Sequence, residues 1–269
     1  MNANTASTAL PAIDTAAITR YIEVVFGYLD HYVPIRQFAE KGTPAQSPQN
    51  TFTLVADAGA HISTLAIDAA QHDRGVFVVP GTVRQTRSAR AEDIVQTGVV
   101  VVDIDNGDIA AKRAHIVRHL GPPTLEVASG GVSDAGQPRL HLYWRLSEAA
   151  EGEDLAVVSR IRKVIAQQID GDKAFVSLHQ PIRVAGTIHG KYGLHAPVQI
   201  VADRASEYHL NDLAERVEAL PPLPGIALNI ATASIHPTAL NARELSTKVI
   251  RADNQDEISR FEALSKVIG

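Results

Sequence analysis

The stretch Gly98-Val99-Val100-Val101-Val102-Asp103-Ile104-Asp105-Asn106-Gly107-Asp108 constrains this chain more than any other. Consecutive valines are β-branched and apolar, so they predict a buried strand. That strand runs out into two carboxylates at i and i+2. Side chains alternate faces along a strand, so Asp103 and Asp105 point the same way, roughly 7 Å apart at Cα. Two acids aimed at one spot repel each other, and a hard divalent cation converts the repulsion into binding. The strand end therefore predicts a metal site and sets the search for its other parts.

Composition narrows the search. The chain has 269 residues, enough for one large domain or two small ones. Its formal net charge of −5 supplies no global field for a polyanion. Contact with nucleic acid would need a local basic groove or metal ions. There is no cysteine, which excludes a disulfide framework, a thiolate zinc site and a cysteine nucleophile. No apolar run approaches the roughly 20 residues that span a bilayer. Residues 1–12 lack a basic segment ahead of an apolar core, so they do not read as a signal peptide. A cytoplasmic protein with no membrane partner is the expectation.

Residues 1–13 read as a disordered N-terminus, 14–220 as one domain, and 221–269 as a linker with a helical tail, opened by Pro221-Pro222-Leu223-Pro224. Asp14 predicts the N-cap of a helix over about 15–32, with Ile18, Ile22, Val25, Phe26 and Leu29 at helical spacing and Pro34 as its stop. Helices are also predicted over 61–71, 109–120, 151–169 and 210–220. Strands are predicted over 76–79, the valine run, 124–129, 140–146, 182–185 and 198–201. Residues 41–50 read as a loop, and the polar segment 82–97 has no clear period. Hairpin-like strand pairs mixed with helices predict an α+β fold rather than a doubly wound sheet.

Three further segments carry chemistry. In the first, Ser129-Gly130-Gly131 leads through a turn-rich loop to Arg139-Leu140-His141-Leu142-Tyr143-Trp144. Arg139 and His141 share a face and offer two donors to an anion, although His141 also reads as a half-buried histidine of an ordinary strand. Tyr143 and Trp144 alternate faces, with Trp144 the better core residue and the other free to stack on a base. In the second, Asp170-Gly171-Asp172 puts acids at a helix C-terminus, where the dipole disfavours them. Turn aspartates and a third metal ligand are both open readings. The third is Arg183-Val184-Ala185-Gly186-Thr187-Ile188-His189-Gly190-Lys191, whose cations, hydroxyl and glycines suit phosphate. It lacks P-loop spacing and, taken alone, also reads as a basic turn.

In this order and combination the motifs resemble the archaeo-eukaryotic primase superfamily, above all the primase-polymerases of phages, plasmids and integrated elements. The resemblance covers roughly residues 75–205. It implies an α+β catalytic core with a mixed or antiparallel sheet, one half of it RRM-like, flanked by helices. It implies that Asp103, Asp105 and Asp172 hold catalytic Mg²⁺ or Mn²⁺, with Asp170 the alternative third ligand. It implies that His141 contacts the phosphates of an incoming nucleotide. Arg139, Arg183, Lys191, Ser129 and Thr187 then lie near phosphates or template. Two departures stand out: Arg139 occupies a position where the family commonly has a small residue, and residues 132–138 lengthen the Gly-Gly turn.

The activity implied is template-directed nucleotidyl transfer: a DNA primase or primase-polymerase that makes or extends primers on single-stranded DNA from nucleoside triphosphates, for replication of a mobile element or phage. A separate helicase is the implied partner, because no Gly-x-x-x-x-Gly-Lys-Ser/Thr motif occurs. Arg84, Arg87, Arg90, Arg160, Arg162 and Lys163 are candidate template contacts, or simply solvated charge. Alternatives are a haloacid dehalogenase-type phosphohydrolase, an Asp-x-Asp sugar transferase, and a non-catalytic primase-like module that binds nucleic acid. Asn106-Gly107 after Asp105 departs from the first, and neither enzyme explains the Arg183–Thr187 segment.

Overall fold

The computed structural model describes residues 10–225. The expectations for residues 1–9 and 226–269 lie outside them. The chain opens with α1 (Thr15–Phe26), capped by Asp14, whose side chain accepts from the Ala17 amide at 2.9 Å. This helix stops at Gly27, short of the predicted end at 32. The residues beyond it form β1 (Tyr32–Ala39), with Pro34 inside the strand. Pro34 lacks an N–H but its carbonyl still accepts from Val79 at 3.0 Å. A proline read as a helix stop is thus a residue of a strand.

Next come β2 (Gln49–Leu54), α2 (Ala58–Gln71), β3 (Arg74–Val78) and β4 (Thr82–Val83). The valine run belongs to β5 (Ile94–Ile104), which starts inside the segment that showed no period. It is followed by α3 (Ile109–Leu120), β6 (Leu125–Val132), β7 (Pro138–Glu151) and α4 (Asp154–Gln168). The chain continues through β8 (Ile182–Arg183), β9 (Ile188–Lys191), β10 (Leu194–Pro197), β11 (Gln199–Asp203) and α5 (Leu210–Glu218). No helix of the described residues is long and apolar enough to cross a membrane.

The strands form a nine-stranded sheet in the order β11-β6-β7-β5-β4-β1-β3-β8, with β2 on β1. Its pairings are antiparallel, and β9 and β10 form a separate hairpin. The fold is α+β.

Why the valine run is apolar on both sides is now visible. Val99 and Val101 join α1 and α2 in one core, while Val100, Val102 and Ile104 join α3, α4 and α5 in the other. An antiparallel sheet usually leaves one face wet, but helices cover both faces here. The neighbouring strand β7 obeys the same alternation. Tyr143 is fully buried edge-on to Tyr21, with ring centroids 5.5 Å apart, and Trp144 is fully buried in the second core. The indole N–H of Trp144 donates to the Gly121 carbonyl at 3.1 Å. Neither aromatic is free to stack on a base, because the helices occupy both faces of the strand.

Candidate active site

Strand pairing builds the site. Asp103 on β5 stands directly opposite His141 on β7, and His141 stands opposite Val127 on β6. The imidazole Nε2 of His141 is 3.7 Å from Asp103 Oδ1. Beyond Ala128 the β6–β7 register slips before resuming at Val132. The irregular stretch contains Gly130, whose φ of +78° suits glycine, and an added Cβ there would come within 2.7 Å of the His189 Cβ. Glycine therefore lets β9 approach β6, and His189 Nδ1 lies 2.9 Å from the Ser129 carbonyl.

These elements enclose a cavity of about 190 Å³. Asp103, Asp105, Ser129, Arg139, His141 and Arg183 line it, together with His189 and the apolar Phe77, Phe175 and Ile182. Residues far apart in sequence, from three segments singled out by motif, thus share one wall. A larger cavity of about 540 Å³ shares Arg139, Arg183 and His189, and extends past Gly130-Gly131 to Lys191 and Tyr192.

The acid end is electrostatically uncomfortable. Burial, then the charges of Asp105 and Asp172, push the Asp103 carboxyl up to about 8, against a smaller opposing pull from Arg139. Asp105 Oδ1 is buried with no hydrogen-bond partner. An orphaned carboxylate oxygen beside a destabilised second carboxylate is an all-oxygen donor set suited to a hard divalent cation. The residues present therefore fit Mg²⁺ or Mn²⁺.

Asp172 stands apart from the pair. Its side chain accepts from the Ala174 amide at 2.8 Å and caps the short turn Lys173–Val176. Its charge reaches Asp103, but among the described residues no three His, Asp or Glu side chains close around one ion. Asp170 is exposed and left-handed, with φ of +48°. Its carbonyl accepts from Lys112 Nζ at 2.7 Å, and the same ammonium donates to Asn106 Oδ1 at 2.5 Å. Lys112, nearly buried on α3, thus ties the turn after the Asp-x-Asp strand to the turn that carries Asp170 and Asp172.

The basic residues differ in their freedom. Arg183 is buried and pairs with both oxygens of Glu40 at 2.5 and 3.2 Å. It also donates to the Ile188 carbonyl at 3.2 Å and lies 4.4 Å over the Phe77 ring. Arg139 forms no ion pair among the described residues, and its Nε is buried without a partner. Burial, then the positive Arg183 and the neighbouring His189, push the His141 imidazole down to about 3, so it is neutral at pH 7 with Nδ1 unpartnered.

Thr187 is turned inward: its hydroxyl donates to the Val184 carbonyl at 2.7 Å and holds the turn between β8 and β9. Lys191 is exposed and lines the larger cavity only. Of the candidate template contacts, Arg162 is buried and donates to the Val99 carbonyl at 3.2 Å, so it supports the sheet. Arg160 pairs with Glu218, while Arg84, Arg87, Arg90 and Lys163 are exposed away from both cavities.

Motif reading gave no role to His189, Glu40 or Lys112. His189 had a signal, since it lies between Arg183 and Lys191 in a segment already singled out. Glu40 and Lys112 had none, because their partners are distant in sequence.

No family model matches the sequence, and no curated protein matches it significantly. Solved structures do match. The chain is similar to the AEP domain of the primase-polymerase of cyanophage S-2L, with a TM-score of 0.58 and 16% identity, covering 78% of this chain and all of that one. It is also similar to primase RepB′, with a TM-score of 0.53 and 15% identity, covering 93% of this chain and 67% of that one. The catalytic domain of primase RepB′ in complex with initiator DNA matches with a TM-score of 0.53 and 17% identity, covering 76% of this chain and 93% of that one. The chain has the archaeo-eukaryotic primase fold.

Proposed function

We propose that this chain catalyses template-directed nucleotidyl transfer, as a DNA primase or primase-polymerase acting on single-stranded DNA with nucleoside triphosphates. The observation that carries this reading is the convergence of Asp103, Asp105, Arg139 and His141 on one cavity of a primase-type fold. The neighbour bound to initiator DNA supports a nucleic-acid substrate.

Asp103 and Asp105 would hold the divalent ions, with Asp172 the nearest further carboxylate. When bound, such ions lower the pKa of an attacking hydroxyl and stabilise charge on the leaving phosphates. The protein's own groups do the rest. Arg139 supplies an uncommitted cation to the triphosphate. His141 meets the anion as a neutral imidazole whose burial disfavours charging until the anion arrives. His189 lies beside it, and Arg183, held by Glu40, adds a fixed positive charge behind both. The 3′-hydroxyl of a primer or initiating nucleotide attacks the α-phosphate, and pyrophosphate leaves. Strand separation would come from a separate helicase, and replication of a phage or mobile element is the setting the fold neighbours support.

The test is incubation of the full chain with primed and unprimed single-stranded template, nucleotides and Mg²⁺ or Mn²⁺. Template-dependent products are expected, and they disappear in Asp103→Asn and Asp105→Asn. Phosphate release from a simple monoester without polymer would assign a phosphohydrolase instead. DNA binding without products would assign a non-catalytic module.

A further inference from the structure

We propose that the β9–β10 hairpin is a stacking platform for single-stranded nucleic acid, centred on Tyr192. This inference deepens the nucleotidyl-transfer reading and rests on it.

Tyr192 lies at the hairpin tip and is 70% exposed, with Leu194 beside it at 77%. Exposed apolar side chains are ordinary when loose and isolated. This one is held. The Tyr192 amide donates to the Lys41 carbonyl at 2.6 Å. Its backbone is left-handed, with φ of +51°, a conformation that costs a non-glycine residue free energy. The ring lies against Gly42, where an added Cβ would come within 2.5 Å of its Cδ1. Gly193 is left-handed too, so the positive φ belongs to the two-residue turn, and that turn with the Gly42 contact sets an aromatic ring in solvent.

The surroundings select the occupant. Lys191 Nζ is 5.7 Å from the centre of the ring, and Lys41 pairs with Lys191 across a β-bridge. Neither lysine forms an ion pair among the described residues. An exposed aromatic ring beside two such lysines is complementary to unpaired bases on a phosphate backbone, and every base presents a π-face. Duplex bases are stacked already and would gain nothing. The hairpin also borders the larger cavity, which meets the acid-lined one at Arg139 and His189. A template strand leaving the acids along this cleft runs over Tyr192.

Fluorescence anisotropy on the full chain tests this with two labelled oligomers of equal length, one of thymidylate and one abasic. Tyr192→Ala is expected to weaken thymidylate binding about tenfold, while Tyr192→Phe retains wild-type affinity. Neither variant should change the abasic affinity. Replacing Lys41 and Lys191 by Gln should lessen the salt dependence by roughly 0.7 in log–log slope per lysine. Unchanged thymidylate binding in Tyr192→Ala overturns the platform, as does an equal loss on the abasic oligomer. Self-association of the wild type that Tyr192→Ala abolishes, with DNA affinity unaltered, would give the surface to a second copy. Primer extension on the same preparations separates the two claims. Synthesis with unaltered Tyr192→Ala binding removes the platform alone, and base-dependent binding without synthesis removes the polymerase alone.

Discussion

Two buried clusters of charge share the small cavity, and they are solved in opposite ways. Arg183 and Glu40 are complementary, doubly hydrogen-bonded and stacked on Phe77, so each group compensates the other's loss of water. Asp103 and Asp105 would carry the same sign if both were ionised, one has a buried oxygen without a partner, and burial together with their mutual repulsion raises the Asp103 carboxyl so that it holds its proton near neutral pH. The first cluster is complete within the protein. The second is offset only in part by the protein's own cations, Arg139 for Asp103 and Lys112 for Asp105. Buried charge alone does not mark a functional group. Like-signed groups that line a cavity do, whereas the buried Arg162, also without an ion pair among the described residues, lines neither cavity.

If that contrast holds, the largest effect belongs to the like-signed pair. Asp103→Asn or Asp105→Asn should lower synthesis at least about a thousandfold, since several kcal/mol of charge stabilisation disappear with the ions. The metal-free variants should stay folded, which circular dichroism checks. Glu40→Gln should do the reverse. It leaves the Arg183 charge buried and unpaired, and should destabilise the protein by about 3–5 kcal/mol in denaturant titrations. A Glu40→Gln variant as stable as the wild type would break the comparison.

Lys112 offers an intermediate case, because its hydrogen bonds go to carbonyl and amide oxygens while its charge also faces Asp170 and Asp105. Lys112→Met should release the two turns that flank the acids and cost up to about a hundredfold in kcat with KM little altered. Lys112→Arg should restore part of the loss. A fall in thermal stability with unchanged kcat would mean that the clamp serves the fold alone.

A further effect is in pH. With the Asp103 pKa raised to about 8 in the folded state and about 3.9 unfolded, the folded protein binds the extra proton between these values. The Asp103 contribution to stability therefore falls as pH rises from about 4 to about 8. Metal-free Asp103→Asn should lose that slope and gain a few degrees in Tm over the wild type at pH 8, with little gain at pH 4. Added Mg²⁺ or Mn²⁺ should raise the wild-type Tm and leave the variant unmoved.

Much of this was legible in the sequence, for reasons specific to each residue. Asp14 is a local signal and acts as the helix N-cap it predicted, and Asp108 caps α3 in the same way. The valine run declared a buried strand, and its period of two placed Asp103 and Asp105 on one face. Arg139 and His141 followed from the same alternation. Pro34 misled because a break in helical spacing does not say what comes after it, and β1 is set by its partners rather than by its own residues. Thr187 matched a phosphate-binding composition, but composition does not reveal that its hydroxyl turns back on Val184. Glu40 was hidden because nothing local announces a partner in β8, 143 residues further along the chain. The same holds for Lys112 and the Asp170 carbonyl.

The position of β5 has a dynamic consequence. It is paired with β7 along most of its length, reached by β4 only at Ile94 and Gln96, and covered on both faces, so the amides bonded to β7 exchange with solvent only when the sheet opens around them. The strand end that carries Asp103 is held from the β7 side. The outlying β9–β10 ribbon has no such protection. Hydrogen exchange should find the slowest amides of the molecule in β5 where it pairs with β7, and far faster ones around Tyr192.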